Sequence, residues 1–259
     1  MTVVATSYPC YHPVASHYFA AGSEDIKGTY VASNIYLNGQ YAEKNPTFDS
    51  EDSPWKALQV LQMLKKHNLP ISSVVEIGCG AGEILRQLQT NLPATTEFYG
   101  YDISPEAYAL CQSRANEHLR FYCADLLTNP PRTFDLGLCL DVFEHIEDYF
   151  GFLRQFRERA TYKIFHVPLD MSVQAVWRRH PILGWRERVG HLHYFMKDTA
   201  LATLRDTGYE VRDWCYTAGG IERPRSLKQQ LEQISIALMV FVKKRAFLAA
   251  ITNETPSTG

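Results

Sequence analysis

The sequence has no apolar run long enough to cross a bilayer, no cysteine framework and no surplus of positive charge, and each absence removes a class of function. Its longest apolar stretch, Ile234 to Val242, stops at Lys243-Lys244-Arg245, well short of the roughly 20 residues that a spanning helix needs. It reads as a core element, and no membrane association is expected. The six cysteines, at 10, 79, 111, 123, 139 and 215, include no C-x-x-C pair, so neither a zinc knuckle nor a disulfide scaffold is indicated. They read as reduced and mostly buried small apolar residues. Lysine and arginine number 26 against 28 aspartates and glutamates, which leaves no overall positive field to hold a nucleic-acid backbone, and no nucleic-acid partner is expected. The opening residues Met1-Thr2-Val3-Val4 run to Cys10 and His12 without a basic region followed by an apolar one; no signal peptide is read, and a cytoplasmic location is expected. Internal repeats and low-complexity tracts are missing too, and Thr252 to Gly259 has the polar composition of a disordered tail.

What is present is an alternation of β-rich runs and helical periodicity from Ser53 onward, the pattern of a parallel sheet covered by helices on both faces. A length of 259 residues is enough for one large α/β domain with a single core. A helix begins at Asp52-Ser53-Pro54, with Ala57, Leu58, Leu61 and Leu64 at helical spacing. Five β-rich runs follow: Ser73 to Ile77, Glu97 to Tyr101 closed by Asp102, Arg120 to Ala124 closed by Asp125, Phe134 to Leu140 closed by Asp141, and Tyr162 to Val167 stopped by Pro168. Ser104-Pro105 caps the helix after the second run. Residues 169 to 196 lose regular periodicity and read as an inserted loop or cap, the kind of segment that sits where ligands bind. Asp198 then caps a helix ended by Gly208, Tyr209 to Thr217 alternates as a sixth strand, and Ala237 to Val242 reads as a seventh. The simplest division is an N-terminal lid over 1–52, one domain over 53–251 and the tail over 252–259.

The first run feeds the turn Glu76-Ile77-Gly78-Cys79-Gly80-Ala81-Gly82 and then a helix carrying Ile84, Leu85 and Leu88. A strand, a glycine turn and a helix start bring backbone N–H groups and a positive helix end to one place, where a ligand can approach the main chain. By itself this says only nucleotide or related ligand. The dinucleotide fingerprint G-x-G-x-x-G needs glycine at 83, where Glu83 stands, and no G-K-S/T follows the turn. Both an NAD site and a phosphate-binding loop are therefore disfavoured.

With these residues in view the chain resembles the class I S-adenosylmethionine-dependent methyltransferases, whose D/E-x-G-x-G-x-G pattern is matched at Glu76, Gly78, Gly80 and Gly82, with Cys79 inside the turn. The resemblance implies a doubly wound, mostly parallel seven-stranded sheet, a Rossmann-like α/β methyltransferase fold with the N-terminal lid and an insert after the fifth strand. It also implies that Asp102 holds the ribose hydroxyls, that Asp125 holds the adenine amino group between Ile103 and Leu126, and that the segment Phe134 to His145, with Leu140, flanks methionine and acceptor. Gly190-His191-Leu192-His193-Tyr194-Phe195 is similar to small-molecule and MetW-like members. The likeness runs from about Ser53 to Val242. The plainer readings are that Asp102 starts a helix and Asp125 begins a turn.

The acceptor side is read from fewer signals. His145, with Asp141, is the catalytic candidate, since histidine is the usual acceptor of a proton near neutral pH; His166, His191 and His193 read as structural. The run Asp141-x-x-Glu144-His145 is similar to the E-x-x-E-H run that holds a divalent metal in some quinone-pathway O-methyltransferases and small-RNA methyltransferases, but helix capping or substrate orientation explains it as well, and no metal ligand is assigned. Arg178, Arg179, Arg186 and Arg188 make the insert basic, as a solvated loop or as a contact to an acidic acceptor. Tyr30, Tyr36 and Tyr41 are expected to close over the site from the N-terminal side, though an aromatic segment packed on the first helix explains them as well. The expected function is methyl transfer from S-adenosylmethionine to an oxygen or nitrogen of a small, possibly acidic molecule. The alternatives are an NAD-dependent oxidoreductase and a non-catalytic cofactor-binding protein.

Overall fold

The computed structural model describes residues 33–217 and 237–244; Cys10, Tyr30 and the tail 252–259 lie outside the described residues. A seven-stranded sheet runs in the order β3-β2-β1-β4-β5-β7-β6, with β1 Ser73–Ile77, β2 Glu97–Asp102, β3 Leu119–Cys123, β4 Phe134–Leu140, β5 Ala160–Pro168, β6 Tyr209–Thr217 and β7 Ala237–Lys244. Strands β1 to β5 pair in parallel, and β7 lies antiparallel between β5 and β6. The central strands SVVEI and FDLGLCL are mostly apolar and buried at all but one position each, as expected of parallel strands covered on both faces.

The helices are α1 Ser33–Leu37, α2 Gln40–Lys44, α3 Ser53–His67, α4 Glu83–Gln89, α5 Pro105–Cys111, α6 Tyr149–Arg157, α7 Val173–Arg178, α8 His180–Val189 and α9 Lys197–Asp206. Because alternate residues of a strand face opposite ways, Val74 and Val75 belong to different cores. Val74, Phe98, Leu136 and Ile164 meet α3, α4 and α5 on one face. Val75, Cys139, Phe165 and Val240 meet α6 and α9 on the other. Among the described residues no helix is long and apolar enough to cross a membrane.

Several expectations from the sequence shift. The insert is helical: α7 and α8 are each short, Arg179 between them has φ 57°, and Pro181 occupies the first turn of α8, so neither helix is long enough to show a clear period. The buried stripe of α3 is Ser53, Ala57, Val60, Met63 and Leu64, whereas Leu58 is half exposed. Asp198 does not cap α9. It sits in the first turn, and the backbone N–H of Met196 donates to Thr199 Oγ1 at 3.1 Å. Ser104 does cap α5, its hydroxyl accepting from the Ala107 N–H.

Gly82 precedes α4 with φ 75°, and a Cβ there would lie 2.5 Å from the Phe121 ring. Its place in the glycine pattern is thus set by the packing of α4 on β3 as well as by the backbone. Gly82→Ala is expected to lose about 2–4 kcal/mol of stability, roughly 4–16 °C in Tm. A melt indistinguishable from the parent would refute this account of the position.

Candidate functional site

Leaving β1, the chain crosses by α4 to β2 on one side, while β4 lies on the other side of β1. Between the carboxyl ends of β1 and β4 the crossovers therefore diverge, and open α/β sheets leave a ligand crevice at such a point. A cavity of about 790 Å³ occupies it. The glycine turn and Ile84 form its base; Asp102 and Ile103 after β2, with Ala124, Asp125, Leu127 and Thr128 after β3, form one flank. Leu140, Asp141, Val142 and His145 after β4, with Asp170, Trp185, Val189 and His191, form the other. Tyr36, Tyr41, Phe48, Asp49 and Lys56 complete the wall from the N-terminal side.

Of the residues singled out in the sequence, Glu76, Gly78, Cys79, Gly80, Asp102, Ile103, Asp125, Leu140, Asp141 and His145 line this cavity. Two do not. Leu126 turns into the core beside Phe134 and Tyr99, leaving Leu127 on the wall, and Gly82 faces Phe121. The insert arginines are off the wall as well: Arg178, Arg179, Arg186 and Arg188 are exposed, and α8 offers Trp185 and Val189 instead.

The turn is more self-contained than a cradle of open donors. Gly78 and Cys79 N–H donate to Tyr101 O at 2.8 and 3.1 Å, Gly82 N–H to Cys79 O at 2.8 Å, and Gly80 N–H to Asp102 Oδ2 at 2.8 Å. What remains for a ligand at Gly80 is close approach, since a Cβ there would meet nothing nearer than Phe48 at 3.5 Å and φ is 53°. Asp102 Oδ1 also accepts from Ser104 N–H at 2.9 Å. Burial raises the Asp102 carboxyl, and the N–H groups of Ser104, Gly80 and Ile103 oppose that rise. Each carboxylate oxygen keeps a second lone-pair direction. Glu76 is buried with Oε2 unpartnered, and burial pushes its carboxyl well up despite the nearby Lys56.

A chain of polar contacts crosses the strand ends. Lys56 Nζ is 2.7 Å from Asp141 Oδ2, Asp141 Oδ1 is 2.5 Å from His166 Nδ1, and His166 Nε2 is 2.9 Å from Thr217 Oγ1. Asp141 has φ 56°, in the left-handed region, which turns the chain sharply at the end of β4. Burial would raise its carboxyl, but His166 and Lys56 together hold it well below the ordinary carboxylate range. Lys56 was not legible as a site residue; its signal is a charged side chain one residue before Ala57, at the edge of the α3 stripe that faces the sheet.

Beyond Asp141, Glu144 is fully buried and neither carboxyl oxygen has a hydrogen-bond partner. Burial first, then Asp141, raises it well above its ordinary value. Its Oε1 lies 3.7 Å from His145 Nε2. Burial and the neighbouring His191 push His145 down to about 3, so it is neutral at physiological pH and a weak proton acceptor, which weighs against its expected role as general base. His191 Nδ1 is 2.5 Å from Asp170 Oδ2. Tyr36 closes over this corner, edge-on to the His145 ring at 5.7 Å with its hydroxyl donating to Val189 O at 3.1 Å. Lys44 Nζ donates to Glu187 O at 2.9 Å, so α1, α2 and α8 are latched together.

A family model described as a methyltransferase domain matches residues 51–213. No curated protein matches the sequence as a relative. Solved structures of similar fold include the methyltransferase of a Haloferax volcanii complex with the Trm112 methyltransferase activator (TM-score 0.61, 16% identity, 83% of this chain and 98% of that one). The N-methyltransferase NodS from Bradyrhizobium japonicum WM9 with S-adenosyl-L-homocysteine is similar at TM-score 0.55 and 17% identity, over 80% of this chain and 100% of that one. The 4+2 cyclase SpnF aligns at TM-score 0.55 and 12% identity, over 73% and 81%.

The ion pair makes a pH-resolved prediction. Asp141 is depressed in the folded state, so its contribution is present above the unfolded carboxylate pKa of about 4 and is lost only as pH falls from there through its much lower folded value. Lys56→Met is expected to lower unfolding free energy by about 2–3 kcal/mol at pH 7, with the gap to the parent closing in acid. Urea unfolding at pH 7 of Lys56→Met alone and in an Asp141→Asn background checks this, and a deficit equally large in both backgrounds would rule out the charge pair as its source.

Proposed function

This chain belongs to the methyltransferase-domain family and uses S-adenosylmethionine as cofactor, and from that premise we propose that it methylates an oxygen or nitrogen of a small molecule held between Tyr36, Trp185 and His145. The observation that carries the acceptor reading is the cavity itself: about 790 Å³ is near the upper part of the roughly 300–1,000 Å³ range of small-ligand pockets, and its far end is walled by aromatic side chains from two latched segments.

The cofactor fits the residues present. Asp102 has acceptor capacity left for two ribose hydroxyls, and Asp125 with Ile103 and Leu127 suits an adenine edge and faces. The open approach at Gly80 and the unpartnered Glu76 Oε2 suit the methionine portion. When bound, the cofactor supplies an electrophilic methyl group on a sulfonium that departs as a neutral thioether. The chain's own task is then alignment and exclusion of water. Tyr36, Trp185 and Val189 fix the acceptor's direction, and the hydroxyls of Tyr36 and Tyr41, pushed above their ordinary value mainly by burial, stay protonated donors.

An acidic acceptor is not favoured. Glu76, Asp102, Asp125, Asp141 and Asp170 line the cavity, while its lysine, Lys56, is already engaged by Asp141. A neutral or cationic acceptor suits this wall, and radiolabelled methyl transfer to a panel of small hydroxy and amino compounds tests it. Transfer to RNA or protein with none to any small molecule would overturn the acceptor reading.

Two substitutions separate the ends of the site. Asp102→Asn is expected to weaken S-adenosylhomocysteine binding about 10- to 100-fold by calorimetry, since charge-assisted hydrogen bonds contribute about 1.5–3 kcal/mol each. Trp185→Ala is expected to raise the acceptor KM at least about tenfold, the loss from truncating a large apolar side chain in a pocket, while cofactor affinity stays within a factor of two. A folded Asp102→Asn protein with unchanged affinity would sink the assignment of the ribose contact.

A further inference from the structure

We propose that the insert helices α7 and α8 form a peripheral docking surface for a membrane rich in anionic lipid. The inference concerns a face outside the cavity and does not rest on the reading of the acceptor. Its starting point is exposure. Val173 is 90% and Trp177 87% exposed, and Val176 between them is half exposed. At spacings of three and four residues the three share one side of α7, while Ala175, turned the other way, is buried. Single apolar residues on a surface are ordinary. A tryptophan and two valines standing together in water forgo much of the gain that burial of such side chains brings.

Charge marks the same segment. Residues 171–189 hold four arginines and one glutamate, although the whole chain has 26 lysines and arginines against 28 acids. Arg178, Arg179, Arg186 and Arg188 are all exposed. Arg179, Leu183 and Arg186 follow at spacings of four and three, so the exposed Leu183 is bracketed by guanidinium groups.

The combination suits a lipid surface better than a protein. Guanidinium groups match the phosphates of lipid headgroups. Tryptophan with short aliphatic side chains belongs at the boundary between headgroup and acyl chain, where an amphipathic helix lies in the plane of the membrane. Side chains as exposed as Val173 and Trp177 project from the surface, whereas a stable protein interface covers about 800 Å² on each partner. The helices are also braced from behind. Ser172 caps α7, accepting from Ala175 N–H at 3.1 Å, and Tyr36 and Lys44 donate to Val189 O and Glu187 O of α8, so docking needs little further ordering. The expectation of no membrane association rests on the missing apolar run, which bears on spanning helices alone; an in-plane contact needs only a short apolar face beside positive charge.

The test uses the full-length protein with vesicles of phosphatidylcholine, alone or with about one-third phosphatidylglycerol, followed by co-sedimentation and tryptophan emission. Binding to the anionic vesicles is expected to be at least about tenfold tighter than to phosphatidylcholine alone, to weaken as salt is raised, and to shift the emission to the blue. Trp177→Ser is expected to weaken it at least about tenfold, and the double variant Arg179→Gln, Arg186→Gln about 10- to 30-fold. S-adenosylhomocysteine affinity is expected to be unchanged in both and reports on the fold; Val173→Ser, on the same face, takes the place of Trp177→Ser should that variant lose it. No binding to anionic vesicles, equal binding to both vesicle types, or binding that either variant leaves at parental strength overturns the docking surface. So does a dimer, detected by light scattering, that Trp177→Ser abolishes while vesicles stay unbound, since the face would then belong to a second copy of the chain.

Discussion

The charge on Asp141 is the constraint around which the site is arranged. It sits at the end of a central strand, in a left-handed backbone conformation, and is stabilised only because α3 delivers Lys56 and β5 delivers His166 to its two oxygens. His166 in turn reaches Thr217 at the end of β6. The carboxyl ends of three strands and the helix before the sheet are thereby tied by one polar chain. A buried carboxylate with a missing partner is costly, so this charge adds a polar tie to the apolar stripe that already packs α3 on the sheet.

The strands and the cofactor flank were largely legible because their signals are local. A β-rich run closed by aspartate marks both the end of a strand and the crevice above it, and Asp102, Asp125 and Asp141 all line the cavity. Errors of one position arose where a loop decides which neighbour turns inward: Leu127 is on the wall and Leu126 is in the core. The insert was misread because α7 and α8 are short and separated by Arg179 at φ 57°, so periodicity had no length over which to appear. Lys56 and His191 were missed as site residues for a different reason. Their roles depend on which distant segments meet, and nothing in their immediate neighbours records that.

This contrast follows the chemistry of the two ends. The cofactor flank is made by backbone turns and strand ends, which sheet topology fixes in one way. The opposite wall is assembled from side chains of α1, α2, α8 and the loop at 190–193, joined through Tyr36 to Val189 and Lys44 to Glu187. Neither joint involves a strand of the sheet.

The unsatisfied groups make the same point energetically. Among the described residues, the buried side-chain atoms without partners belong to Glu76, Glu144 and His145, and all three residues adjoin one cavity or its wall. A buried polar group left without a partner costs about 1–3 kcal/mol, so these positions carry a local penalty that an apolar core would avoid. Glu76 lies at the end of β1 beside the glycine turn, and Glu144 and His145 lie past the end of β4, so the penalties fall at the ends of the two central strands that border the crevice.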